Sequence, residues 1–428
     1  MVSRSRFFGD QTYHFQTLRA LSYIPYGGAD TSEVLETIRH IKAGDADSWY
    51  GAWVRTADRV SELACRTKDP ISRGRALLRA HNYYRTAEFL LEPHDPRRFV
   101  SWKKNIGTFY KGLDTLSVSH ERISAPYGSH HLNALYFPGP QGSEKQPLIL
   151  ICGGFDSTLE ELYFVLVAAG LERGYSVLAY EGPGQGSIIR EQGVPFTHEW
   201  EKPTAVILDE YLRTHPLPAK IVLVGMSMGG FLAPRAAAFD ERIEGVVAFD
   251  VFFDFGAIFS RSVPPIAFWF DRHGLGFLLN AIVRIKAAFS PGLRWALQHS
   301  MWVLGTRGLI ETAEALRAYT LQHVAQRIKG DVLILAGEDD HFVPIEQLKQ
   351  FETSLTQARS VTSVIYNRES GGAEHCQLGA VTLWHAAFFD WLGEKFSLPR
   401  ISFQRSLREW PWQTLQRAPS APANRPAA

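Results

Sequence analysis

The chain has 428 residues, 45% hydrophobic and 21% charged, with a formal net charge of +1. That is a globular balance, large enough for one domain with additions or for two, and it lacks the basic excess that draws nucleic acid or an anionic membrane. Its three cysteines, Cys65, Cys152 and Cys376, are too few and too scattered for a disulfide framework or a zinc site. No run approaches the ~18 apolar residues of a membrane span. The arginine-bearing start from Met1 to Phe8 lacks the apolar core of a signal peptide. A soluble, cytoplasmic protein without metal or cofactor is expected, a transit sequence being left open.

Residues 1–115 read as a helical region. Asp30 with Glu33 is a capping-box-like start, followed by Val34, Leu35, Ile38 and Ile41 at helical spacing. Ser48 is the cap expected for the next helix, which carries Trp49, Trp53, Ala57, Val60 and Ala64 on one face. A third helix begins near Ser72 and repeats Ala76, Leu77, Ala80, Tyr83, Tyr84, Ala87, Leu90 and Leu91. These helices serve as part of a lid or as a dimer surface. Trp49, Tyr50, Trp53, Tyr83 and Tyr84 are the aromatics that would reach a pocket, although such residues at helical spacing are usually core.

From residue 116 the period changes to strands. Leu116 to Ser124 and His130 to Phe137 resemble a hairpin turning at Pro126-Tyr127-Gly128-Ser129. Buried strands follow at Leu148 to Cys152, Val177 to Tyr180, Ile221 to Val224, Val246 to Phe249, Val332 to Ala336 and Thr362 to Tyr366, alternating with helices. Such alternation implies a mostly parallel sheet covered on both faces.

Gly225-Met226-Ser227-Met228-Gly229 lies between the strand at Ile221 and a helix-forming stretch from Gly230 to Phe239. Strand, tight glycine-flanked turn and helix, with serine at the apex, is the nucleophile elbow of an α/β-hydrolase fold. The elbow lifts the Ser227 hydroxyl clear of the sheet and aims the Met228 N–H at the same point. Upstream, Gly153-Gly154-Phe155-Asp156 ends the strand at Leu148, and the Phe155 N–H is the natural second oxyanion donor. The core thus runs from 116 to 254 and again from 326 to 400. Between them, residues 255–325 are too many for a simple crossover and rich in Phe and Trp, including Phe268, Trp269, Phe270, Phe277, Trp295 and Trp302. A helical cap inserted after the sixth strand is expected, with extra core or a dimer face as the alternative. Residues 401–428 read as a low-complexity, disordered tail.

Two further pieces complete a serine, acid, histidine order. Asp340 stands three residues after Gly337 at the end of a strand and four before Pro344, with Asp339 its nearest rival. His375 lies in the glycine-bearing loop past the last strand, and His341 competes with it. A serine hydroxyl needs a base to take its proton and an acid to orient that base, and the tetrahedral adduct needs fixed donors. Ser227, His375 and Asp340 would supply the first three roles, and Phe155 and Met228 the backbone donors. Cys152 reads as a core thiol, and Cys376 as lining its loop.

Tyr26-Gly27-Gly28-Ala29-Asp30, Asp47-Ser48-Trp49-Tyr50 with Trp53, and Leu78-Arg79-Ala80-His81-Asn82-Tyr83-Tyr84-Arg85 are not required by α/β-hydrolases in general. With Glu181-Gly182-Pro183-Gly184-Gln185-Gly186, the elbow and Ala373-Glu374-His375-Cys376, they resemble the hydrolases related to 2,6-dihydroxypseudooxynicotine hydrolase, which include fungal polyketide-shortening enzymes of naphthopyrone pigment pathways. The resemblance spans roughly residues 10–395. It implies a serine triad and, in well-known members, cleavage of a carbon–carbon bond next to a ketone in secondary metabolism. Some members add an acidic residue near the cap, for which Asp250 and Asp254 are the residues here. The expected partner is a small aromatic or polyketide-like substrate. An esterase or thioesterase, a cyclisation catalyst, and a binding module that has lost its chemistry are the other readings.

Overall fold

A computed structural model describes residues 7–140, 142–262, 273 and 276–396. The expected tail, Phe268, Trp269 and Phe270, and the side chain of Phe277 lie outside the described parts. Five helices come first: α1 (Gln11–Ser22), α2 (Thr31–Ile38), α3 (Ala46–Arg66), α4 (Pro70–Glu88) and α5 (Pro96–Thr115). Each starts behind an aspartate, Asp10, Asp30, Asp45, Asp69 and Asp95 in turn, whose carboxylate accepts a first-turn backbone N–H.

These caps correct three sequence expectations. Ser48 is not the cap of α3; it donates its N–H to Asp45 at 3.0 Å. The third long helix begins at Pro70, because Asp-Pro supplies both the cap and the first helical residue. Asp30 and Glu33 form no reciprocal box. The Asp30 N–H goes to the Tyr83 hydroxyl, while Glu33 accepts from that hydroxyl and from Arg79. Trp49, Trp53, Tyr83 and Tyr84 build the core of this helical region rather than a pocket wall, with Tyr50 packed against them.

The strands are β1 (Glu121–Tyr127), β2 (His130–Phe137), β3 (Leu148–Cys152), β4 (Val177–Tyr180), β5 (Ile221–Met226), β6 (Ile243–Phe249), β7 (Asp331–Gly337) and β8 (Ser360–Tyr366). They form one sheet in the order β1-β2-β4-β3-β5-β6-β7-β8. β2 pairs antiparallel with β1 and β4, and the remaining pairs are parallel. The hairpin is tighter than the sequence suggested: Tyr127 pairs with His130, so only Gly128 and Ser129 turn. Pro126 stays in β1 because an edge strand has no ladder bond to lose on its outer side.

Every residue of β3, β4, β5 and β7 is buried, as a sheet covered on both faces requires. Helices α6 (Ala168–Glu172), α7 (Gly186–Gln192), α8 (Glu201–Thr214) and α9 (Gly229–Phe239) make the early crossovers. Among the described residues four more, α10 (Phe255–Ser262), α11 (Gly276–Phe289), α12 (Pro291–Leu304) and α13 (Leu309–Leu316), lie between β6 and β7. α14 (Glu346–Ser354) and α15 (Val381–Lys395) complete the chain's described part. The winding reverses at β3, which has β4 on one side and β5 on the other. A crevice therefore opens beyond the C-terminal ends of β3 and β5, the usual ligand site of such sheets. No described helix is long and apolar enough to cross a membrane.

The cap assignment is testable. Asp45→Ala removes the acceptor for the Ser48 N–H and should lower the free energy of unfolding in denaturant by about 1 kcal/mol. An unchanged midpoint would contradict it.

Candidate active site

Ser227 sits at the turn from β5 into α9 with φ of +61°, a left-handed conformation that is costly for a residue with a side chain. Its N–H donates to the Phe249 carbonyl at 3.0 Å, and its own carbonyl accepts from Gly230 at 2.7 Å. Gly225 makes the turn possible: a Cβ there would stand 1.9 Å from the Gly229 carbonyl oxygen. The loop after β3 passes equally close, since a Cβ on Gly154 would lie 2.7 Å from the Ser227 Cβ and 2.9 Å from the Met228 nitrogen.

Two loops from the far half of the sheet reach the same point. The Ser227 hydroxyl is 2.9 Å from His375 Nε2, and His375 Nδ1 is 2.6 Å from Asp340 Oδ2. In the neutral ring, the form able to take the serine's proton, Nδ1–H donates to the carboxylate and Nε2 accepts from the serine; the charged ring that results keeps the Asp340 bond. The other Asp340 oxygen accepts the N–H groups of Phe342 and Val343, so the acid is oriented by its own loop. His375 is buried, which disfavours its charged form, but the Asp340 carboxylate more than reverses that and holds its pKa well above the ordinary histidine value.

The rivals go elsewhere. Asp339 is engaged in a forked pair with Arg368. His341 packs edge-on against Phe15, with Nδ1 3.8 Å from Glu374. Neither Met228 nor Phe155 spends its N–H on another described backbone or side-chain group.

The two acidic residues considered near the insertion part company. Asp250, at the end of β6, has a positive φ of +58° and accepts the Cys376 N–H. Its Oδ2 is 3.4 Å from His375 Nδ1, and its Oδ1 has no hydrogen-bond partner among the described residues. Burial, and then the neighbouring Asp340 charge, push its pKa up to about 7. Asp254 accepts from the Ala257 N–H and from Gln322, and so caps α10 at the start of the insertion.

Asp250, His375 and Cys376 bring ligand-type atoms within 4.8 Å of one another. They make a poor metal site. Both nitrogens of His375 are engaged, and burial pushes the Cys376 thiol up to about 12, away from the thiolate a metal needs.

Above Ser227 lies a cavity of about 580 Å³. Phe252, Phe255 and Phe259 wall it from the start of the insertion, Trp295 and Leu297 from α12, and Phe342 from the acid loop. Sequence reading missed the contribution of α1, whose Phe15, Gln16 and Arg19 also line it. Arg19 bonds Asp156 and, with two nitrogens, Glu161, while Arg85 lies 3.3 Å from Glu161. Burial works against the Asp156 charge, but Arg19 and Arg85 overcome it and hold the carboxyl well below the usual range. The buried cluster is thus balanced at two cations and two anions. A Gln-x-x-Arg pair one helical turn apart on α1 is the signal that was available, but nothing in the sequence says which sheet end α1 covers.

A sequence model described as the alpha/beta hydrolase family matches residues 148–376. Hydrolase acrC of Aspergillus aculeatus is 33% identical over 424 residues, covering 92% of this chain and 99% of its own. Hydrolase LUC6 of a Fusarium species is 34% identical over 416 residues, covering 92% and 98%. 20-hydroxy-prefusarin hydrolase FUS2 of Gibberella moniliformis is 31% identical over 415 residues, again covering 92% and 98%. Among solved structures, 2,6-dihydroxy-pseudo-oxynicotine hydrolase superposes with a TM-score of 0.69 at 20% identity, covering 88% of this chain and 95% of its own.

The raised pKa of Asp250 has a definite consequence for stability. The folded chain keeps a proton that the unfolded chain releases near pH ~4, so this group's contribution is present at low pH and lost as pH rises through about 7. Asp250→Asn removes the titration. Its unfolding free energy relative to the native chain should therefore climb between those limits; parallel pH profiles would contradict the assignment.

Proposed function

Because the chain belongs to the alpha/beta hydrolase family, we propose that it is a serine hydrolase that cleaves a carbon–carbon bond next to a ketone in a polyketide-like substrate. The observation that carries this reading is the Asp340–His375–Ser227 relay, at 2.6 and 2.9 Å, opening into a cavity walled by aromatic side chains. Its substrate side rests on that cavity and on relatives such as 20-hydroxy-prefusarin hydrolase FUS2.

Ser227 Oγ attacks the carbonyl carbon while its proton passes to His375 Nε2, and Asp340 holds the resulting imidazolium. The oxyanion is received by the N–H groups of Met228 and Phe155. As the adduct collapses, the bond to the neighbouring carbon breaks and its electron pair leaves as an enolate or ring carbanion. The imidazolium proton quenches that carbon. Water, deprotonated by His375, then attacks the acyl-enzyme, releases a carboxylic acid and returns the proton to Ser227. Carbon is a poor leaving group unless a second carbonyl or a phenol spreads its charge, which is why a polyketide suits the chemistry. Asp250, beside Nδ1, is the auxiliary acid in this scheme: protonated, it adds no second negative charge to the Asp340–His375 pair.

Ser227→Ala should abolish turnover with the fold intact, and a fluorophosphonate probe should label the native chain at Ser227 alone. Asp340→Asn, which lets the imidazole take the wrong tautomer, should lower kcat by roughly 10⁴-fold. Run in ¹⁸O-water on β-diketones, the reaction should place the label in a new carboxylate and a solvent proton on the departing carbon. Hydrolysis of esters or thioesters with every β-diketone left intact would overturn the carbon–carbon reading. Product formation persisting in Ser227→Ala would point to cyclisation instead.

A further inference from the structure

The donor loop after β3 has a built-in weakness. Gly154 must be glycine, because any Cβ would strike Ser227 and the Met228 nitrogen. Two consecutive glycines leave their peptide planes free to rotate more than any other pair. The Phe155 N–H shares a rigid peptide plane with the Gly154 carbonyl, and the two point in opposite directions. With the Gly154 carbonyl held on the Gln185 side, the Phe155 N–H faces away from Gln185, and turning that plane over would exchange the two.

One side chain governs that plane. Gln185 Nε2 donates to the Gly153 carbonyl at 2.8 Å and to the Gly154 carbonyl at 2.9 Å. Its Oε1 accepts the Gly182 N–H at 3.1 Å, so the amide can face only one way. Gln185 is 1% exposed, and its own N–H is bound to the Gly182 carbonyl. The next plane is secured from α12, where His299 Nε2 lies 3.0 Å from the Phe155 carbonyl. Burial holds that imidazole neutral, with its pKa lowered to about 4, so Nε2 serves as a donor, and Nδ1, which has no partner among the described residues, needs no proton.

We propose that Gln185 is a positioning residue for the reaction: it locks the two glycine peptides so that the Phe155 N–H stays turned toward Ser227, with His299 fixing the plane that follows. This rests on the serine reading above and assigns a task to the Glu181–Gly186 turn that neither the triad nor the cavity explains.

The test separates transition-state binding from ground-state binding. A phenylalkyl trifluoromethyl ketone forms a tetrahedral adduct with an active serine, whereas the matching methyl ketone only occupies the cavity. In Gln185→Met, adduct affinity and the rate of fluorophosphonate labelling should both fall by roughly tenfold to a hundredfold, while methyl ketone affinity stays at the native value. Gln185→Glu, of the same size and able to keep the Gly182 bond, offers no N–H pair and should show the same split. It carries the test if the methionine variant does not fold. His299→Phe, which retains the ring, should give a smaller loss of the same kind. Equal weakening of both ketones would mean a merely structural role, and native labelling rates in the Gln185 variants would also overturn the inference while leaving the serine reading intact. A native chain that never labels at Ser227 would remove both.

Discussion

Ser227 is held in a left-handed backbone conformation that costs on the order of 1–3 kcal/mol, and much of the surrounding structure exists to keep it there. The turn closes only because the Gly225 and Gly229 backbones can touch, and its N–H is tied back to β6 through Phe249. That requirement fixes where everything else can go. The β3 loop must pass against the serine as bare glycine backbone, and β7 and β8 must deliver Asp340 and His375 from the opposite side of β5. A cost of this size persists only where packing over-determines the geometry, and here β5 and its neighbours are buried on both faces.

Three separate parts of the chain then fasten the glycine-bearing loop after β3. Gln185 from the turn after β4 holds its carbonyls, Arg19 from α1 binds the Asp156 carboxylate, and His299 from α12 holds Phe155. The N-terminal helices and the insertion also meet each other, with Phe89 and Trp295 stacked at 4.7 Å between ring centres. A site on an otherwise ordinary sheet thereby comes to depend on segments that the sheet does not need.

The fold was legible where chemistry leaves a local mark. The elbow at Ser227 is a pattern of small residues between a β-branched strand and a helix, and the runs at 26–30 and 78–85 pointed to relatives that share the helical start. Helix starts were harder to read, because Asp45 takes the cap expected of Ser48, and Glu33 is drawn away from a capping box by Tyr83 and Arg79, partners remote in sequence. Asp250 and Asp254 could not be ranked from sequence, since only three residues of chain separate an oxygen beside His375 from one that caps a helix. The work of Arg19, Gln185 and His299 left almost no local signature. Each acts on a backbone group or a carboxylate that is remote in sequence, and only the packed structure shows which.

The account turns on whether an acyl group is carried by Ser227. Intact mass and peptide mapping after a rapid acid quench of the protein with an activated aryl ester test this directly. A single acyl adduct on the peptide containing Ser227, trapped in the native chain and lost when either Ser227 or His375, the base for its formation, is replaced by alanine, is the predicted result. Turnover with no adduct, or an acyl group on any other side chain, would contradict it.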